Sequence, residues 1–300
     1  MYSKYKYHLL LHLIIFIWGF TGILGKLIHL EAFYIVWHRV LIALIGLSVM
    51  MYFMKIPFKL PSNKKLIQVS LVGVLVGLHW ITFYKSIQLS TASLGILCLS
   101  TTTLHVAWLE PIVMKRKFSW MEFLLSLIIV FGIYFVSKDF GPKEYKALAY
   151  GLISALLAAS FTVFNAKLAG EVSAMHLTFY EMMAALVFIS IALLFQGRFS
   201  GILFVMSLSD FLWLLFLGIV CTSFAFFATI EVMKKLGAYT VSLSINLEPV
   251  YTILLAVFIL KENELLGFDF YIGSLIIIVV VIANAFLKSS ARKKKAVFNS

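Results

Sequence analysis

The string Ser244-Ile245-Asn246-Leu247-Glu248-Pro249 lies inside an apolar stretch, residues 237–258, that is long enough to cross a bilayer as a helix. A carboxylate in hydrocarbon is costly unless it is paired or hydrated, so one at this depth marks a cavity, a partner or a solute path. Three more acids, Glu110, Glu181 and Glu231, sit in stretches of the same kind. The pattern is that of a polytopic membrane protein that moves something.

The rest of the chain agrees. It has 300 residues, 62% of them hydrophobic, and a mean hydropathy of +1.02, which leaves too little polar surface to cover a soluble globule. Apolar segments near 8–28, 32–53, 66–88, 92–113, 120–137, 147–168, 174–196, 209–232, 237–258 and 267–288 predict ten spans, with almost nothing left for soluble domains. Lys4 and Lys6 precede the first span without a small-residue cleavage site, so that segment reads as an uncleaved anchor. Cys98 and Cys221 fall inside spans, lack metal-ligand spacing and read as packing residues.

The net charge of +12 does not point to nucleic acid, because the basic residues occupy short loops and the tail. They report orientation instead. One side collects Lys4, Lys6, Lys55, Lys59, Lys64, Lys65, Lys115, Arg116, Lys117, Lys234, Lys235 and the run from Lys288 to Lys295. The other receives Lys138, Lys143, Lys146, Arg198 and Lys261, mostly beside acids. Both termini are therefore expected in the cytoplasm, with the protein in the cell (inner) membrane.

Internal repetition refines the architecture. Phe20-Thr21 followed by Lys26-Leu27 recurs as Phe161-Thr162 followed by Lys167-Leu168, at a spacing of 141 (162 − 21). Ala92, Leu97 and Lys115 recur as Ala238, Leu243 and Lys261, at 146 (261 − 115). The expected fold is an all-α integral membrane protein of ten transmembrane helices in two five-helix repeats, 1–140 and 141–290, with a basic cytoplasmic tail at 291–300. Five is odd, so the second copy enters from the opposite side and the repeats are inverted, a transporter arrangement with its solute site near the midplane.

Trp18-Gly19-Phe20-Thr21-Gly22, the short link Ser90-Thr91-Ala92, Asn246-Leu247-Glu248-Pro249-Val250 and Lys261-Glu262 together resemble the drug/metabolite transporter superfamily, in particular its EamA-like members, over essentially the whole length. The resemblance implies alternating access between two repeats around a central cavity, with export the favoured direction. An uptake permease of the same fold is the alternative, and a non-transporting scaffold or receptor a more distant one. The first repeat departs from the pattern, with Thr103 where the register places Pro249 and Arg116 where it places Glu262.

Candidate solute-binding residues follow from polar groups at membrane depth. In the third span His79, Trp80, Tyr84 and Lys85 lie within two turns. In the fourth, Ser100, Thr101, Thr102 and Thr103 form a hydroxyl run that serves either a solute or its own backbone. Asn165 and Asn246 carry amides that need partners, Trp18 and Thr21 stand in the early motif, and Arg39 with Lys26 and Lys85 marks either a cationic vestibule or snorkelling side chains. Pro249 is expected to kink its helix beside Glu248. Gly73-xxx-Gly77 and Gly151-xxx-Ala155-xxx-Ala159 read as close-packing seams.

Enzyme readings find no support: the chain has no His-Glu-x-x-His pair, no Gly-x-Ser-x-Gly turn and no dinucleotide fingerprint, and Gly25-Lys26 lacks the rest of a phosphate loop. No cofactor or metal is expected. The expected partners are a small-molecule solute, the lipid bilayer and a coupling proton or other ion, with no nucleic acid and no particular oligomeric state.

Overall fold

The computed structural model describes residues 2–59, 62–115, 117–138, 140–236, 241, 244–245 and 247–298. Asn246, Arg116, Asp139, Ala238 and Leu243 lie outside the described residues, as do the side chains of Glu231, Lys234 and the basic tail. The helices are α1 (Tyr2–Leu27), α2 (Ala32–Phe53), α3 (Asn63–Leu89), α4 (Ala92–Ser100), α5 (Thr102–Met114), α6 (Trp120–Val136), α7 (Pro142–Leu168) and α8 (Ala174–Phe195). There follow α9 (Leu208–Leu215), a π segment (Phe216–Phe224), α10 (Ala225–Leu236), α11 (Glu248–Leu260) and α12 (Phe268–Phe298). Among the described residues, seven helical stretches are long and apolar enough to cross a membrane, and three shorter apolar ones, Trp120–Val136, Glu248–Leu260 and Phe268–Asn284, accompany them. Helices suit this composition because each satisfies its own backbone where water is absent.

Three segments differ from their sequence reading. The fourth span is broken: Thr101 (φ −72°, ψ −4°) separates α4 from α5, and the hydroxyls around it turn inward on their own backbone. Thr101 and Thr102 donate to Cys98 O and Leu99 O at 2.6 Å, and Ser100 and Thr103 to Ile96 O and Ser100 O at 3.2 Å. Pro249 does not kink a helix. It stands in the first turn of α11, where its missing N–H is one that needs no helical partner. The basic stretch set apart as a tail continues α12 as helix to Phe298.

The two halves repeat at the level of backbone angles. Both α2 and α8 have 22 residues, begin after an extended residue (Glu31 φ −66°, ψ 154°; Ser173 φ −65°, ψ 150°) and end through residues at φ −81°, ψ −1°. Their starts are 142 apart (174 − 32). Both α5 and α11 have 13 residues and stop at a left-handed lysine, Lys115 (φ 51°) and Lys261 (φ 53°), with starts 146 apart (248 − 102). The α1–α2 loop joins the starts of later spans through His29 N to Asp210 Oδ1 (2.8 Å) and Arg198 Nη2 to Glu31 Oε2 (2.7 Å). Its counterpart in the second half, the α7–α8 loop, joins the α2–α3 loop instead, through Lys65 Nζ to Glu171 (2.6 Å), His176 Nε2 to Pro57 O (2.7 Å) and Tyr180 OH to Phe58 O.

Small residues set the close approaches. A methyl at Gly73 would stand 2.5 Å from Glu181 O, and one at Gly151 2.6 Å from Cys98 Cβ, so α3 packs on α8 and α7 on α4 nearly backbone to backbone. Both cysteines are buried and unpaired, as packing residues are.

Candidate functional site

The α2 face turned toward α3 and the π segment carries the most unusual polar group of the bundle. Arg39, on the third turn of α2, is only 4% exposed. Its Nη1 donates to Tyr84 OH (3.1 Å), its Nε to Thr222 Oγ1 (3.2 Å), and its guanidinium lies over the Trp80 ring, 3.9 Å from the centroid. Among the described residues it has no ion pair with a carboxylate. A buried guanidinium has no way to shed its charge, so hydroxyl oxygens and an aromatic face stand in for the counter-ion. Glu248, partly exposed at the start of α11, lies within electrostatic reach of Arg39 without touching it.

Local sequence explains why these groups meet. Trp80 and Tyr84 are one turn apart on α3, and Gly25 on α1 leaves the room that Tyr84 fills, since a methyl there would be 2.8 Å from the ring. Thr222 sits in the π segment, whose wider turn lets Thr222 and Ser223 bond carbonyls five residues back, Leu217 O (2.9 Å) and Gly218 O (3.1 Å). Such widened turns cluster at functional positions. The Gly218 backbone also meets Ile42 there, since a methyl would come within 2.5 Å of its Cγ2.

The structure thus brings Arg39, Trp80 and Tyr84 together, with Glu248 nearby. The other candidates named from the sequence go elsewhere. His79 is buried against α7, its Nδ1 paired with Ser154 Oγ (2.9 Å) and O (3.0 Å) and its ring stacked on Phe83. Lys85 follows Tyr84 about 100° round the helix and is partly exposed. Ser100 and Thr101 are buried at the helix break. Trp18 packs edge-on against Phe226, and Thr21 is buried between Gly19 and Gly22, the two glycines that let α1 touch Thr252 of α11. Asn165 stands beside Glu181, and Asn246 lies outside the described residues.

Two roles are not legible in the sequence, one of them at Glu262, which stands there only as part of the Lys261-Glu262 motif. Thr222 is one hydroxyl in an apolar span, with no signal but its polarity. Glu262, 2% exposed, accepts from Ala92 N (2.7 Å), Ser93 N (3.0 Å) and Ser93 Oγ (2.6 Å), so a carboxylate from the second half caps the first turn of α4. Beside it Lys26 Nζ donates to Ser90 O.

An all-helical membrane bundle built from a duplicated unit is an arrangement met among membrane transport proteins. Among them the EamA-like transporter family matches this sequence twice, over residues 5–138 and 145–286. The chain belongs to that family. A solved structure titled "Crystal structure of protein" superposes with a TM-score of 0.65 at 15% identity, covering 94% of this chain and 97% of its own, a likeness of fold alone. No curated protein sequence matches the chain.

Proposed function

We propose that the protein is a secondary transporter of small organic solutes that works by alternating access between two inverted five-helix repeats, 1–140 and 141–290, ten spans in all. The observation that carries this is the double family match, in register with helix boundaries that recur at spacings of 142 and 146 residues. Inversion is supported by the loops: the α1–α2 connection and its counterpart between α7 and α8 bond to opposite sets of neighbours. Lysine and arginine asymmetry supports both termini, with the basic end of α12, lying in the cytoplasm of a cell whose (inner) membrane holds the protein.

Solute passes through a central cavity that opens between the third, fourth, eighth and ninth spans, lined by the first and sixth. Arg39, Trp80, Tyr84 and Glu248 are its polar contacts, with Asn246 adjoining. Export is the working direction and a proton or other ion gradient the energy source. The purified protein in sealed vesicles is expected to accumulate or release a solute found by a thermal-shift screen, since a ligand of the folded state raises its apparent stability. Flux no greater than in empty vesicles for every stabilising compound overturns the transport reading, and a gradient dependence of the wrong sign makes it an uptake permease. A reporter that matures only outside the membrane, fused after Ser300, is expected to stay inactive.

A further inference from the structure

The antiparallel seam between α3 and α7 is laddered with polar rungs. Ser86 Oγ donates to Ala147 O (2.8 Å), and seven residues back on α3 and seven forward on α7 His79 pairs with Ser154. Eleven residues further along each helix, three turns that return to the same face, stand Gln68 and Asn165. A third helix joins this rung, because the Asn165 amide stands beside the Glu181 carboxyl of α8. The upper rungs are saturated and this one is not. Gln68 Oε1, Asn165 Oδ1 and Glu181 Oε1 are all buried without a hydrogen-bond partner, three of the five such atoms among the described residues.

All three atoms are oxygens, and although the two carboxamides carry N–H donors of their own, no donor reaches any of the three. Glu181 is 5% exposed, and Val69, Val72, Leu168 and Leu177 cluster around the rung. The bare Gly73 draws α3 against the Glu181 backbone itself and closes the α8 side. An unpaired carboxylate in such a shell lacks compensation. The charged groups on the elements packed around it stand at the rim: Lys64 and Lys65 on α3, Lys167 on α7, Glu171 bonded to Lys65, and His176 on α8 bonded to Pro57 O. α2, which also packs on α8, carries no ionisable side chain between Arg39 and Tyr52. Glu181 lies seven residues inside α8, about 10 Å below that rim at 1.5 Å per residue.

We propose that Gln68, Asn165 and Glu181 form a proton-binding site, with the proton carried on the Glu181 carboxyl. Hydronium arriving from the Lys65–Glu171 rim gives its proton to a Glu181 oxygen and leaves as water, which discharges the buried carboxylate and adds an O–H donor beside the orphaned oxygens. Three oxygens suit a proton and fall short of the six or so that a hard metal ion gathers. The repeat register gives the position added interest, since Glu181 is the counterpart of Arg39 at the α2–α8 spacing of 142 (181 − 39). The two halves carry opposite charges at one structural position.

The site goes beyond the transport reading and is tested without a solute. The protein in lipid nanodiscs is titrated between about pH 5 and 9 while infrared absorption of protonated carboxylic acids is followed. A titrating band is expected that Glu181→Gln removes and Glu248→Gln leaves in place. Asn165→Leu and Gln68→Leu keep the acid but are expected to move its midpoint by about one pH unit. Spectra of Glu181→Gln that match the wild type overturn the assignment to Glu181. Midpoints unmoved in both carboxamide variants overturn the three-residue site, including when Glu181→Gln fails to fold. A midpoint displaced when sodium replaces choline overturns the proton assignment in favour of a metal ion.

Discussion

Removing Glu262 should loosen the junction between the halves more than any other single truncation of a charged side chain. Its carboxylate accepts three hydrogen bonds from the first turn of α4, and each bond to a charged group is worth about 1.5–3 kcal/mol net. They share one acceptor, and Thr91 Oγ1 goes on accepting from Leu94 N at 3.0 Å, so the terms do not add in full. Stripping the partner from buried amides places Glu262→Ala at about 3–5 kcal/mol. At roughly 2–4 °C per kcal/mol, the ratio for somewhat shorter chains, the apparent Tm falls by about 10 °C. Glu262→Gln keeps one acceptor but turns an NH2 toward a backbone donor, so it should lose about half as much. Thermal unfolding of the two variants in nanodiscs, followed by intrinsic fluorescence, checks the order. A Glu262→Ala midpoint within about 1 °C of the wild type would refute the cap as an energetic link.

Arg39→Lys keeps the charge but loses the planar fork and its stacking on Trp80, about 1.5–2 kcal/mol in a desolvated site, so vesicle transport should fall about tenfold or more with the thermal midpoint held within a few degrees; an unchanged rate would remove Arg39 from the solute path. Glu248→Gln should abolish or uncouple transport while membrane insertion and folding persist, because the amide keeps size and polarity without charge. Wild-type flux with an unchanged pH dependence would make Glu248 structural. Gly73→Ala drives a methyl to 2.5 Å from Glu181 O and should destabilise the protein by about 1–3 kcal/mol, read as lost monodisperse yield and a lower midpoint; full stability would mean α3 and α8 are not in close contact.

What can be read along the chain is what depends on one helix at a time. Spans follow from apolar length, and the duplication from recurring pairs such as Phe20-Thr21 and Phe161-Thr162, with the spacing drift from 141 to 146 already visible. Side-chain fates depend on the neighbour each helix meets. His79 and Trp80 adjoin in sequence, yet one faces Ser154 and the other Arg39. Pro249 resembles a kink until the helix is seen to begin one residue before it. The hydroxyl run at Ser100–Thr103 is chemically neutral between solute and backbone, and only the break at Thr101 decides. Glu262 lies at the end of a helix in the second half, and its partners are about 170 residues away, beyond any local pattern.

The left-handed residues that end the repeated helices record a choice made after duplication. Among the described residues Lys55, Lys115 and Lys261 adopt φ between 51° and 54°, and Gly197, the counterpart of Lys55, is the residue type that enters this region freely. A side chain held there costs about 1–2 kcal/mol. Each lysine places a cation at the negative end of a helix dipole, which recovers part of that cost. In the relaxed copy the cation has moved one place along, to Arg198, which reaches Glu31 across the bundle. The same turn is thus a strained terminal charge in one half and an unstrained crosslink in the other, so twin segments do different mechanical jobs.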